Sequence, residues 1–431
     1  MPKPSFISIP LDIPDVRVLQ TELTKHGELI LTVESTLPST TCRRCGRTIT
    51  ERHGTDEPRL LRHLPILSHV VYLRMRPKRF RCSWCEGHPT TTQLLDWYDP
   101  QALHTKAYER HLILQLVNST ITDVGVKEDV SDDALVSILD RWIATRVEWD
   151  TLAPFTTLGI DEIALLKGHR DFVAVISAQT EQGELHVLAV LPNRMKATVV
   201  GWLKRIPSAI QSRIRTVCTA IWEGYITAVQ AVLPHATIVI DRFHVARHYR
   251  DGVDELRKQE VRRVRKELPK DAADELKHTL WPFRKRATDL DAAEQERLET
   301  LLAASPALRQ AYTLREELTT IFDSAGSKAE GLRQIQGWRQ RVVQSGLSCF
   351  DGFLKLLDTW QDLIANYFLD HHTSSFVEGL NNKLKVLKRR CCYGLRNVVR
   401  LFQRLTLDLE GYRRFSPWRA TTIPSAAHGY S

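Results

Sequence analysis

The sequence predicts a multidomain α/β protein on three observations. Two Cys-x-x-Cys pairs bracket a strand-rich stretch near the N-terminus, and the middle of the chain alternates strands and helices in the order βββαβαβ. A long helical stretch then leads to a basic helix near the C-terminus. At roughly 150 residues per domain, 431 residues suit two to four domains. A chain that is 43% hydrophobic and 26% charged is too apolar to stay disordered, and 20 Gly with 19 Pro exclude collagen-like or low-complexity character. No uncharged apolar run approaches the roughly 20 residues that span a bilayer. Lys3, Asp12, Asp15 and Arg17 interrupt the N-terminus where a secretory leader would carry its apolar core. The expectation is a cytoplasmic protein with no membrane partner. The net charge of +9 permits nucleic-acid binding without establishing it.

Residues 1–100 read as a zinc-binding module. Cys42-Arg-Arg-Cys45 and Cys82-Ser-Trp-Cys85 supply four sulfurs, with Gly46 and Gly87 placed to turn backbone N–H groups toward them. Four thiolates are the tetrahedral set that structural zinc prefers. Disulfides or incidental thiols are the competing readings, the first disfavoured in a reducing compartment. The spacer reads as strands at 60–64, 70–75 and 79–81. His53, His63, His69 and His88 lie nearby and read as packing or solvent residues, with replacement of one thiolate by an imidazole as the alternative; Cys218, Cys349, Cys391 and Cys392 read as packing residues.

Residues 101–152 change to helical period, with Tyr108, Leu112 and Leu116 on one face and Leu135, Ile138, Leu139 and Trp142 on another. Asn118-Ser119-Thr120 offers caps for a second short helix and Ser131 for a third. Three short helices fit a helix-turn-helix, whose last helix would enter the major groove of DNA. Any small bundle gives the same pattern, and Asp132 with Asp133 would meet phosphates with like charge.

Residues 153–250 hold the core. Strands are expected at 156–160, 172–177, 185–191, 214–219 and 237–240, with helices at 197–206 and 222–232. This order is that of a ribonuclease-H-like fold. Its active site gathers carboxylates from the end of the first strand, the end of the fourth and a later helix, to hold two divalent metals. Asp161 fits the first place, an acid at the C-terminal end of a buried strand. Residues 251–370 are polar and helical in pattern, an all-α insertion with basic and acidic residues interleaved around Arg257–Glu267. In the last segment, 371–431, Glu378 is the natural helix acid. After it, Lys383, Lys385, Lys388, Arg389, Arg390, Arg396, Arg400 and Arg404 run without an intervening acid. With Asn382 they form the expected phosphate-binding stretch.

Taken together the motifs resemble the ISL-three family of bacterial insertion-sequence transposases, which carry a DDE core. The resemblance rests on the paired cysteines, the helical segment, Gly159-Ile160-Asp161-Glu162, Trp222-Glu223-Gly224-Tyr225, Asp241-Arg242-Phe243-His244-Val245, and Glu378-Gly379-Leu380-Asn381-Asn382-Lys383. It spans about Cys42 to Leu407. It implies magnesium-dependent cleavage and strand transfer of double-stranded DNA, acting on terminal inverted repeats and target DNA. It also implies structural zinc, a homodimer on DNA and a nucleoid-associated location. The carboxylates so implied are Asp161, a residue after the fourth strand, and Glu378. This chain departs from the pattern in one place. Ala220 occupies the position of the second aspartate, so the chain as written is expected to be inactive, either by engineering or by natural loss. Asp241 lies two strands from Asp161, roughly 10 Å away at the usual strand spacing, so Asp241 and His244 read as a supporting pair. A non-catalytic DNA-binding regulator derived from a transposase is the alternative.

Overall fold

The computed structural model describes residues 11, 13–165, 172–267, 279–369, 375–391 and 395–416, the side chains of Ser375, Phe376, Glu378 and Asn381 excepted. The chain forms two compact units, residues 1–142 with 411–431, and residues 143–410. No helix among the described residues is long and apolar enough to cross a membrane.

The first unit begins with β1 (Val16–Leu23), β2 (Leu29–Ser35), β3 (Thr40–Thr41), β4 (Thr48–Ile49), β5 (Glu51–Thr55), β6 (Arg59–Ile66), β7 (His69–Met75), β8 (Lys78–Arg81) and β9 (Thr90–Thr92). One sheet runs β1-β2-β7-β6, with β2 parallel to β7. Alternation puts Val71, Leu73 and Met75 of β7 inward, against Leu31, Val33, Leu61, Leu95 and Trp97, while Arg74 points out. The strand-rich spacer between the cysteine pairs is therefore present as expected. The β1–β2 hairpin in front of it was not foreseen: every residue of β1 after Val16 is exposed, so burial leaves no clear pattern there.

The short hairpin β3–β4 carries the first cysteine pair at its tip and β8–β9 carries the second. Helices α1 (Lys106–Leu116), α2 (Ile121–Glu128) and α3 (Asp132–Trp142) follow. Thr105 caps α1, Thr120 caps α2, and the Ser131 hydroxyl accepts from the Ala134 N–H at 3.3 Å. Between α2 and α3 the chain turns in three residues. A Cβ at Gly125 would stand 2.8 Å from the Val130 carbonyl oxygen, so only glycine lets the turn close this tightly. Tyr108, Leu112, Leu116, Leu135, Ile138 and Leu139 form the buried faces.

The second unit is built on β10 (Phe155–Ala164), β11 (Phe172–Thr180), β12 (Leu185–Leu191), α4 (Lys196–Leu203), α5 (Ser208–Gln211), β13 (Thr216–Thr219), α6 (Glu223–Val232), β14 (Thr237–Ile240) and α7 (Arg242–Glu267). Its five strands lie in the order β12-β11-β10-β13-β14. The β10–β11 and β11–β12 pairs are antiparallel; β10–β13 and β13–β14 are parallel. The five strands and both expected helices are present; the helix expected to reach residue 206 ends at Leu203, the short α5 was not expected, and one strand end is corrected. β10 does not end before Asp161 but continues to Ala164, because β11 keeps pairing with it after the shorter β13 has stopped.

Both faces of this sheet are covered, which is why β11 reads as an almost unbroken apolar run. Helices α8 (Leu280–Arg284), α9 (Ala292–Ala304), α10 (Pro306–Ser324), α11 (Lys328–Ser345) and α12 (Asp351–Ala365) extend the core that α4, α6 and α7 begin on one face. On the other face lie α13 (Ser375–Arg390) and α14 (Val398–Phe415). Leu380, Leu384 and Leu387 recur at four and three residues, so α13 presents one leucine stripe to Ile163, Val173, Val175 and Val187. Burying each leucine stabilises the contact by about 1.5–3 kcal/mol.

Candidate active site and four-cysteine centre

The parallel strands set the site. Ile160 of β10 is level with Thr219 of β13, and Thr219 is level with Ile240 of β14. The next residue on each strand path is therefore Asp161, Ala220 and Asp241, side by side, with Ala220 in the middle. Backbone bonds tie the row together: the Ala220 N–H reaches the Ile160 carbonyl at 3.4 Å, and the Asp241 N–H reaches the Thr219 carbonyl at 2.9 Å.

Asp241 opens α7. Its carboxylate accepts from the Phe243 N–H at 3.0 Å, which fixes the first turn and carries His244 back over the row. The imidazole then reaches both ends: Nδ1 is 3.2 Å from Asp241 Oδ2 and Nε2 is 3.6 Å from Asp161 Oδ1. Asp161 is buried, and burial pushes its carboxyl up to about 6, with Asp241 and Glu162 adding to the rise. The His244 charge and the Glu162 N–H pull the other way. Burial by itself would lower His244, but the Asp241 hydrogen bond and the charges of Asp161, Asp241 and Glu162 raise it. The pair of aspartates thus shares one imidazole.

Asp161 is paired across the sheet with Val175, whose side chain lies in the cluster that α13 covers, so Asp161 faces the α13 side. Glu378 lies in α13, within its first turns; its side chain lies outside the described residues. Lys385 holds its ammonium 5.4 Å over the Phe243 ring, and Lys388 donates to the Ala164 carbonyl at the end of β10. These two contacts pin α13 beside the aspartate row. Asn382, Lys383, Lys385, Arg389, Arg390 and Arg396 are exposed, and Lys388 and Arg400 are half-buried, the latter bonded to Gln403.

Arg404 is a correction. It is 2% exposed and lies 3.7 Å from buried Asp408, because α14 is enclosed along most of its length from Leu401 to Gly411. The expected phosphate-binding run loses that charge. Tyr393 and Gly394, expected as a turn, lie outside the described residues, as do Ser374 and Pro269–Asp271. On α7 the interleaved charges pair along the helix: Arg257 with Asp254, Lys258 with Glu255, and Arg263 with Glu260 and Glu267.

On the opposite side of the sheet sits a group that the sequence analysis missed. Glu162 accepts from Arg194 at 2.9 Å, and the Arg194 guanidinium lies 4.0 Å over the Trp222 ring and 4.5 Å over Phe172. The Trp222 indole N–H donates back to the Arg194 carbonyl. Trp222 is 38% exposed, two residues after Ala220. The only available signal was the acid next to Asp161.

The four-cysteine centre lies in the first unit. The sulfurs of Cys42, Cys45, Cys82 and Cys85 all fall within 4.8 Å of one another. Cys42 and Cys85 are 4.0 Å apart, and Cys45 and Cys82 are 3.7 Å apart. A tetrahedral ion bound at about 2.3 Å requires edges near 3.8 Å, so the cluster is able to hold a metal. The Cys45 and Arg44 N–H groups draw Cys42 down to about 6. Gly46 and Gly87 take positive φ of 70° and 78°, which is how each loop turns. Three of the nearby histidines bond elsewhere: His63 contacts Thr105, His69 the Gly27 carbonyl and His88 the Cys82 carbonyl, and the metal-competent cluster comprises the four cysteines.

A family model for transposases, of the DDE and ISL3 type, matches residues 158–405. The chain belongs to the ISL3 transposase family. That match spans the whole aspartate row, the helical insertion and α13. Among curated relatives, the chain is 27% identical to the transposase for insertion sequence element IS1001 of Bordetella parapertussis over 375 residues, 86% of this chain and 89% of that one. It is 24% identical to the transposase for insertion sequence element IS1557 of Mycobacterium tuberculosis over 399 residues, 88% and 87% of the two chains. These alignments reach beyond the family match and take in most of the chain's length.

Proposed function

We propose that this chain is a DNA transposase with a ribonuclease-H-like core, whose strand-cleaving centre is formed by Asp161, residue 220 and Glu378, and that Ala220 leaves the centre inactive. The observation that carries the reading is the register of the three parallel strands, which sets residue 220 directly beside Asp161. The 3-2-1-4-5 strand order of the central sheet supports the fold assignment. In the family pattern three acids at these places would hold magnesium, which would supply Lewis-acid chemistry at the phosphodiester. The residues present do not fit that ion pair. Ala220 offers a methyl group where an oxygen donor is needed, and His244 instead bridges Asp161 to Asp241. The chain as written therefore lacks the donor set for cleavage.

What its own residues do is bind and position. Lys383, Lys385, Arg389 and Arg390 line one side of α13 and neutralise phosphates of a DNA end. Asp241 and His244 hold the Asp161 carboxylate in place. The four cysteines hold zinc, which ties the β3–β4 and β8–β9 loops together and is structural rather than catalytic. α1–α3 form the helix-turn-helix, and two copies act on paired inverted repeats inside the cell.

The test is cleavage of a duplex carrying the inverted repeats that flank this reading frame, with magnesium, by the Ala220→Asp chain and by the chain as written. Cutting at the repeat end by the first alone supports the reading. A second reading, a DNA-binding regulator without chemistry, is favoured by the same Ala220. It predicts repeat-specific binding by both chains and cutting by neither.

A further inference from the structure

We propose that a groove in the first unit, between the four-stranded sheet and β5, binds the phosphodiester backbone of duplex DNA through Arg52, Arg59 and Arg76. The proposal rests on the DNA-binding reading above and gives it a second anchoring surface, separate from α13.

The groove encloses about 690 Å³. Five cations line it, Arg52, Arg59, Arg74, Arg76 and Lys78, against one carboxylate, Glu34. Glu34 is already engaged: it lies 2.8 Å from Arg17 and 3.4 Å from Lys78, and the Arg17 hydrogen bond leads in holding it below the usual range. Arg74 has only an exposed contact with Glu22 at 3.5 Å, of the kind that contributes little. Arg52, Arg59 and Arg76 have no side-chain hydrogen bond or ion pair among the described residues. Three guanidinium groups brought to one concavity repel each other unless an anion joins them, and the planar fork of arginine matches a phosphate.

Leu19 and Leu60, 56% and 47% exposed, border the same groove and suit sugar contacts between phosphates. By contrast, the exposed residues of α3 include Asp132, Asp133 and Asp140, which phosphates avoid. Within the first unit, charge complementarity thus favours the strand module over α3 as the backbone contact.

The experiment measures binding of the full chain, Ala220 retained, to a 30-base-pair duplex of the flanking inverted repeat and to a random duplex, across a salt series. The Arg52→Ala, Arg59→Ala, Arg76→Ala triple variant is expected to weaken both equally and to flatten the log–log salt slope by about 0.9 per lost contact. The matching Arg→Lys triple variant retains the slope. A Lys383→Ala, Lys385→Ala variant reports on α13. Unchanged affinity in the arginine triple variant with a loss in the α13 variant overturns the groove and leaves the general reading standing. Absence of duplex binding by every chain sinks the general reading instead. Weaker binding at unchanged salt slope, with a lowered melting temperature, marks a folding defect and contradicts the proposal.

Discussion

His244 Nε2 stands 3.6 Å from Asp161 Oδ1, while the same ring holds Asp241 at 3.2 Å through Nδ1. One imidazole therefore spans two aspartates that the sheet keeps two strands apart, directly over the row that contains Ala220. In the Ala220→Asp chain, the His244→Ala substitution should reduce cleavage by about 10–100-fold, the usual cost of losing a partner that orients a metal ligand. Affinity for repeat DNA should stay close to that of the parent. A parallel loss of affinity would mean that the ring holds DNA rather than Asp161.

Asp254 bridges α7 to α8, 2.9 Å from Arg257 Nε and 2.7 Å from Arg284 Nη2. Burial works to raise this carboxyl, but the hydrogen bonds and charges of the two arginines outweigh it and hold it below its usual value. A depressed carboxyl contributes stability that is present above its unfolded pKa and lost as pH falls through the folded one. Asp254→Asn should therefore cost about 2 kcal/mol at pH 7, less than a fully buried pair because Arg284 is half exposed. The gap to the parent should close below about pH 4. Urea midpoints of the helical signal at both pH values check this.

Removing zinc should unfold the module around β3–β4 and β8–β9. Elemental analysis is expected to find one zinc per chain. Cys82→Ala should lose it, along with at least about 3 kcal/mol of first-unit stability, since structural zinc contributes on the order of 10 kcal/mol to small modules. Full retention of zinc by that variant would exclude the four-cysteine assignment.

Leu384 is fully buried in the stripe that seats α13 on the sheet. Leu384→Ala should cost about 2–5 kcal/mol and, by loosening the helix that carries Glu378, lower cleavage by the restored chain more than it lowers DNA binding. Thermal melts and single-turnover cleavage measured side by side test both halves.

What was legible in the sequence had a local imprint. β11 and β12 are buried on both faces, so their apolar runs announced them, and the paired cysteines carried their own spacing. Asp161 stood out as an acid after such a run. Contacts that close over long sequence distance left no imprint. Arg194 reaches Glu162 and Trp222 from a loop, β2 pairs with β7 across the intervening β3–β6, and His244, expected as the companion of Asp241, also meets Asp161. Arg404 shows the opposite failure. It closes a run whose earlier cations, Lys383, Lys385, Arg389, Arg390 and Arg396, are exposed, yet α14 is enclosed around it, and Asp408 one turn on meets the charge there. The end of β10 was misplaced for a related reason: its two partner strands stop at different levels.

The most direct test of the central claim is a cleavage assay on the flanking inverted repeat with magnesium, comparing the Ala220→Asp chain with the chain as written. The strand register predicts cutting at the repeat end by Ala220→Asp, abolished by Asp161→Asn or Glu378→Gln in the same background, and none by the chain with Ala220. Cutting by the Ala220 chain, or an inert Ala220→Asp chain that still binds the repeat, would contradict the assignment of residue 220.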